Sequence, residues 1–207
     1  MSQSAVAVSQ HEVLMEASPY GIDKKKLGMW VFIVSDACTF AAFLFAYGYM
    51  RIGAPLWGTP FGPSSVLNGM VMTAVLLTSS FTMLAAVRAA QTATKAETNK
   101  WLGLTMLLGV IFASLHLREW FKLIAEGWRL FYNPTGGAPQ FGATFFSVTG
   151  LHLTHVVSGV IAIAFVARGF YRGRYDQSHV ETVGLYWHFV DLVWMFVFPL
   201  MYLMNAH

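Results

Sequence analysis

Apolar residues run along this chain in long blocks rather than at helical or strand alternation, with short polar or Gly/Pro-rich breaks between them. A helix needs about 20 apolar residues to cross a hydrocarbon core, and five stretches qualify: Leu27 to Met50, Ser65 to Val87, Trp101 to Leu117, Thr144 to Ala167 and Val180 to Met204. Turn residues separate them, with Gly53, Pro55, Gly58, Pro60, Gly62 and Pro63 after the first, and Asn133-Pro134-Thr135-Gly136-Gly137 before the fourth. The pattern predicts an all-α polytopic membrane protein: a bundle of five transmembrane helices (residues 27–207) behind a polar segment (residues 1–26). That segment lacks the apolar run and cleavage site of a signal peptide.

Lysine and arginine set the expected orientation. Lys24, Lys25, Lys26, Arg88, Lys95, Lys100, Arg168, Arg172 and Arg174 fall on one side, against Arg51, Arg118, Lys122 and Arg129 on the other. The positive-inside bias then places the N-terminus in the cytoplasm and the C-terminus outside. Arg118 to Tyr132, with Glu119, Trp120, Phe121, Glu126, Trp128 and Phe131, reads as a short amphipathic element at the outer interface; the third span either stops at Leu117 or continues as an interfacial helix through Trp128.

Composition agrees: 56% of residues are hydrophobic and 11% charged, where a soluble domain has about 25% charged residues. The net charge of +3 follows from loop lysines and arginines and is no nucleic-acid footprint. The single cysteine, Cys38, excludes an internal disulfide and a two-cysteine copper site. Nucleotide loops, nucleophile elbows and Cys-x-x-Cys motifs are absent.

Few ionisable residues interrupt the spans: Asp36, His116, His152, His155, Glu181, His188 and Asp191. Such groups face a bundle interior, with a partner or a function. At a ~1.5 Å rise per residue, Asp36 and His188 lie about 14 Å from one edge and His155 about 16 Å from the other, so all three stand near one level. Glu181, Gly184, His188, Asp191 and Met195 share one helix face, as do His152, His155 and Gly159, which predicts a close-packed, hydrogen-bonded interface. His116 lies nearer the outer side, with no partner histidine evident at its level. Two readings stay open for this set. It is a structural polar network, or His155 and His188 ligate a haem between two helices, or a metal together with Asp36.

Longer strings narrow the choice. Tyr186-Trp187-His188-Phe189-Val190-Asp191-Leu192-Val193-Trp194, preceded by Glu181, resembles the signature of subunit III of haem–copper oxidases. Gly142-Ala143-Thr144-Phe145-Phe146 with Gly150-Leu151-His152 and His155, and Gly28-Met29-Trp30-Val31-Phe32-Ile33 with Ser35-Asp36, are similar to two further helices of that family. Glu119 stands where the family tends to carry a glutamate. The resemblance runs from about Lys26 to the C-terminus. It departs in two ways: mitochondrial-type members have seven helices, whereas this chain has the short form known among bacterial oxidases, and the buried carboxylate, commonly Glu, is Asp36, as in some quinol-oxidising members.

The resemblance implies a non-catalytic accessory subunit of a proton-pumping terminal oxidase that reduces oxygen to water in the bacterial cytoplasmic membrane. It implies subunit I as principal partner, subunit II and a supercomplex beyond it, haem and copper in the partners and no redox centre or metal in this chain. Phospholipid would occupy a V-shaped cleft faced by Asp36, sustaining proton uptake and protecting subunit I during turnover. Arg51, Arg88, Glu119, Glu181 and Trp187 are candidate headgroup contacts. Cytochrome c is the expected donor, being the more widespread. The competing expectations are a quinol oxidase subunit, an accessory protein of a nitric oxide reductase, a haem b membrane anchor, and a small proton channel using Asp36.

Overall fold

The computed structural model describes residues 24–206 apart from Pro55, Ala93 and Ala138, so most of the expected N-terminal polar segment lies outside the described residues. Five helices make up almost all of it: α1 (Lys24–Gly53), α2 (Pro63–Thr92), α3 (Lys95–Ala125), α4 (Gln140–Tyr171) and α5 (Gln177–Met201), followed by a 3-10 turn (Leu203–Asn205). Strands are absent among the described residues, where only two isolated bridges occur, Phe61 with Ala206 and Arg129 with Tyr132. All five helices are long and apolar enough to cross a membrane.

Local sequence explains where the helices start and stop. Pro63 opens α2 at the position where a missing N–H costs nothing. The Thr94 side chain caps α3 by accepting from the Glu97 amide at 3.3 Å, and Asp176 caps α5 by accepting from the His179 amide at 3.3 Å. Gly127, at φ 92°, supplies the left-handed residue that lets the chain leave α3. Helix α3 continues unbroken to Ala125, so the third span does not stop at Leu117, and Arg118 to Ala125 form its last two turns. The break falls at Gly127, and charged residues at 118, 119 and 122 decorate the helix without ending it.

Helices α2, α3, α4 and α5 pack in a ring, and α1 lies outside it against α4 and α5. In its most apolar 18-residue window α5 is 61% buried, against 11% for α1. Small residues on α3 and α4 let α5 approach closely. A Cβ on Gly109 would stand 2.7 Å from the Trp187 ring and one on Gly159 2.9 Å from it, so this indole fills a slot made by two glycines.

Candidate functional site

With so little apolar surface buried, α1 is held by polar ties at three levels. At the end where the chain begins, Lys26 pairs with Glu181, whose carboxylate also accepts from Gln91 at 2.9 Å and Gln177 at 3.2 Å, joining α1, α2 and α5. Beside it, Lys25 stands 3.8 Å from Asp176. The His179 ring N–H donates to Asp176 at 2.6 Å and, ahead of the Lys25 charge, holds that carboxyl below the usual carboxylate range. At the opposite end, the Tyr47 hydroxyl donates to the Leu200 carbonyl at 2.7 Å, and Arg51 donates to the Asn205 side chain at 3.0 Å and the Met204 carbonyl at 2.6 Å.

The middle tie is the candidate site. Asp36 of α1 and His155 of α4 approach to 3.1 Å, Oδ2 to Nε2, each side chain 14% exposed. The other ring nitrogen of His155 donates to the Leu151 carbonyl one turn back, at 2.8 Å. A carbonyl only accepts, so Nδ1 carries a proton and Nε2 is the atom left for the carboxyl. The contact is close without being an aligned hydrogen bond, since Asp36 Oδ2 has none. Phe40 packs its ring 5.2 Å from that of His155, and the Tyr186 hydroxyl of α5 donates to the His155 carbonyl at 3.1 Å while lying 2.8 Å from Ser158 Oγ. A groove of about 600 Å³ runs beside it between α1, α4 and α5, lined by Met29, Phe32, Ser158, Ala162, Val166 and Tyr186, with Lys25 and His179 at one end.

The other polar residues of the spans serve different contacts. His152, fully buried, approaches the Val190 carbonyl of α5 at 3.1 Å. His116 does face a histidine region: its ring shares Phe112 and Trp194 as neighbours with His152, at centroid distances of 5.7 and 5.6 Å. His188 lies 2.6 Å from the Ser80 hydroxyl of α2, and Asp191 is near the same hydroxyl without an aligned hydrogen bond. The two polar faces expected to meet therefore have separate partners: that of α5 turns to α2, and that of α4 to α1 and the α5 backbone. His155 and His188 turn to different partners, Asp36 of α1 and Ser80 of α2. Among the described residues no group of three or more His, Cys, Asp or Glu side chains is placed to hold a metal ion.

The expected headgroup contacts divide. Trp187 is fully enclosed and donates to Ser79 of α2 at 3.0 Å, so it is a core residue and not a lipid contact. Glu119, 3% exposed, turns inward to Asn68 at 3.0 Å. Glu181 and Arg51 are committed to the ties described above. Arg88 alone lines a surface groove, about 370 Å³, with Glu97 and Trp101. Sequence reasoning missed Ser80, Tyr186 and Asn205. Tyr186 lies within the signature string, whereas Ser80 and Asn205 carry no motif.

The family model described as cytochrome c oxidase subunit III matches residues 10–206. The chain is 34% identical over 185 residues to cytochrome bo(3) ubiquinol oxidase subunit 3 of Pseudomonas aeruginosa, covering 86% of this chain and 84% of that one. It is 34% identical to cytochrome c oxidase subunit 3 of Synechocystis sp., covering 88% and 76%. It is also 30% identical to the haem–copper oxidase subunit I+III of Aeropyrum pernix, covering 91% of this chain and 24% of that longer one.

Proposed function

The chain belongs to the cytochrome c oxidase subunit III family, and on that premise we propose that it is the accessory subunit of a proton-pumping respiratory oxidase. The observation that carries this is a family match over residues 10–206, nearly the whole chain. Subunit I is its principal partner, a reading supported by the relative in which subunits I and III form one polypeptide. Subunit II and further oxidase subunits complete the complex, with haem and copper in the partners and none in this chain. The complex sits in the bacterial cytoplasmic membrane, N-terminus inside, and enters a supercomplex.

Within that assembly the α1–α4–α5 groove takes phospholipid, and the Asp36–His155 pair stands next to its Ser158 and Tyr186 lining. The pair keeps α1 upright beside α4, so the lipid-filled groove stays open. This supports steady proton uptake by subunit I and slows its inactivation during turnover. Arg88 holds a headgroup at the cytoplasmic end. Cytochrome c is the donor. The second reading, a quinol donor, is favoured by the match over 84% of the bo(3) ubiquinol oxidase chain and by aspartate at position 36.

Mass spectrometry of what co-purifies with a tagged chain from native membranes in mild detergent tests the assignment. A many-helix haem–copper subunit I and a copper-bearing subunit II are expected, and the attached donor separates the two readings. Recovery of a soluble dehydrogenase without an oxidase would overturn it.

A further inference from the structure

Arg129, in the connection between α3 and α4, has a fixed backbone and an unpaired charge. Its N–H and carbonyl exchange hydrogen bonds with Tyr132, at 3.2 and 3.3 Å. The first turn of α4 presses on it so closely that a Cβ on Gly142 would stand 2.1 Å from the Arg129 carbonyl oxygen. The side chain is exposed and makes no hydrogen bond or ion pair with any described residue. The nearby carboxylates do not serve it: Glu119 turns inward to Asn68 and Lys122, and Glu126 forms no ion pair.

Arg129 also lines a groove of about 580 Å³ between α3 and α4, together with Trp120, Ile124, Leu130, Phe146 and Ser147. Its wall is rigid. The Trp120 indole lies against α4 where Gly150 lacks a Cβ, 3.1 Å from where one would stand. Its N–H donates to Thr149 at 3.2 Å, and its ring meets Phe146 edge-on at 5.4 Å. Ser147 lies seven residues into α4 from Gln140, so the trough descends about 10 Å from the helix end toward the bilayer centre. A guanidinium gains most from a phosphate or carboxylate that it can bond in two places. An apolar trough beginning beneath such a charge fits a molecule with an anionic head and an extended hydrocarbon tail.

We propose that this groove is a phospholipid site, with the lipid phosphate on Arg129 and one acyl chain along Trp120, Ile124 and Phe146. The occupant is a lipid of the surrounding bilayer. A soluble phosphate would leave the trough unfilled, and a packed protein helix would leave the arginine without its counter-charge. The site is separate from the Asp36 groove, which lies between α1, α4 and α5, and it depends only on the helices crossing a bilayer, not on the oxidase assignment.

The test uses the native complex in nanodiscs containing phosphatidylglycerol with a photoreactive diazirine in its acyl chain, with adducts mapped by peptide mass spectrometry. Adducts are expected on Trp120, Ile124, Phe146 or Ser147. In Arg129→Gln they should fall about tenfold, the loss of one charge-assisted contact, while labelling near Trp101 at the other end stays unchanged. Ser147→Trp, which fills the trough and leaves Arg129 intact, should abolish them too. Equal labelling of wild type and Arg129→Gln would overturn the proposal. So would absence of lipid adducts because another subunit covers the groove.

Discussion

Asp36 reaches across from α1 to within 3.1 Å of His155 on α4, and that contact is the midpoint fastening of a helix that buries little else. His155 spends its other ring nitrogen on the Leu151 carbonyl, which leaves Nε2 for the carboxyl. Asp36→Asn keeps the shape of the contact and removes the ionisable group. The amide can still donate to the ring, so assembly with subunit I should persist. We expect near-normal subunit retention and a faster fall of activity during sustained turnover, followed by oxygen consumption over many cycles. Asp36→Leu removes the polar contact as well and should loosen α1 by about 0.6 kcal/mol, the average for a polar contact between membrane helices.

The far end of α1 gives an independent check. Arg51→Ala removes donors to Asn205 and Met204 and leaves the Tyr47 and Asn205 side chains to compensate alone. A cost of about 1–3 kcal/mol is expected for the exposed-to-buried network it breaks. The measurement is the detergent or thermal midpoint of the isolated complex, together with protease access to the C-terminal turn.

Glycines on one helix should respond in opposite directions. Gly109→Ala places a methyl 2.7 Å from the Trp187 ring, and Val160 stands 2.8 Å away, so about 1–3 kcal/mol of overpacking is expected. Gly103, two turns earlier on α3, has nothing within 4 Å of its Cβ position. Gly103→Ala should stabilise the chain by about 0.5–1 kcal/mol through helix propensity. Paired melting curves decide whether Trp187 occupies the slot between α3 and α4.

Acid should open the clasp at the N-terminal end of α1. The Asp176 carboxyl is held low by His179 and Lys25, so its contribution is present above the ordinary carboxylate pKa near 4 and lost as pH falls through its lowered value. The group is well exposed, and its contribution is correspondingly small. Asp176→Asn should leave neutral-pH stability within about 1 kcal/mol of wild type and flatten the stability slope below about pH 4.

Much of this architecture was legible in the blocks of apolar residues. Every one of the five spans is present, and Gly159 packs closely against α5, as its place on the polar face of α4 led one to expect. What the sequence could not give was direction. His155 and His188 stand at matching depth, but helix rotation, set by packing around the whole ring, turns one to Asp36 and the other to Ser80. Trp187 sits among residues that suggest an interface, yet its slot depends on two glycines contributed by different helices. The end of α3 stayed open between Leu117 and Trp128 because charged residues at 118, 119 and 122 read as a boundary, whereas a helix longer than the hydrocarbon core tolerates them beyond it.

The most direct test of an accessory, non-catalytic role compares the oxidase purified with this chain against the same oxidase after the chain has been removed. The initial rate of oxygen reduction should be largely retained without it, with the haem and copper content unchanged and the number of turnovers before inactivation sharply reduced. Loss of haem or copper on removing the chain, or abolition of the very first turnovers, would contradict the account.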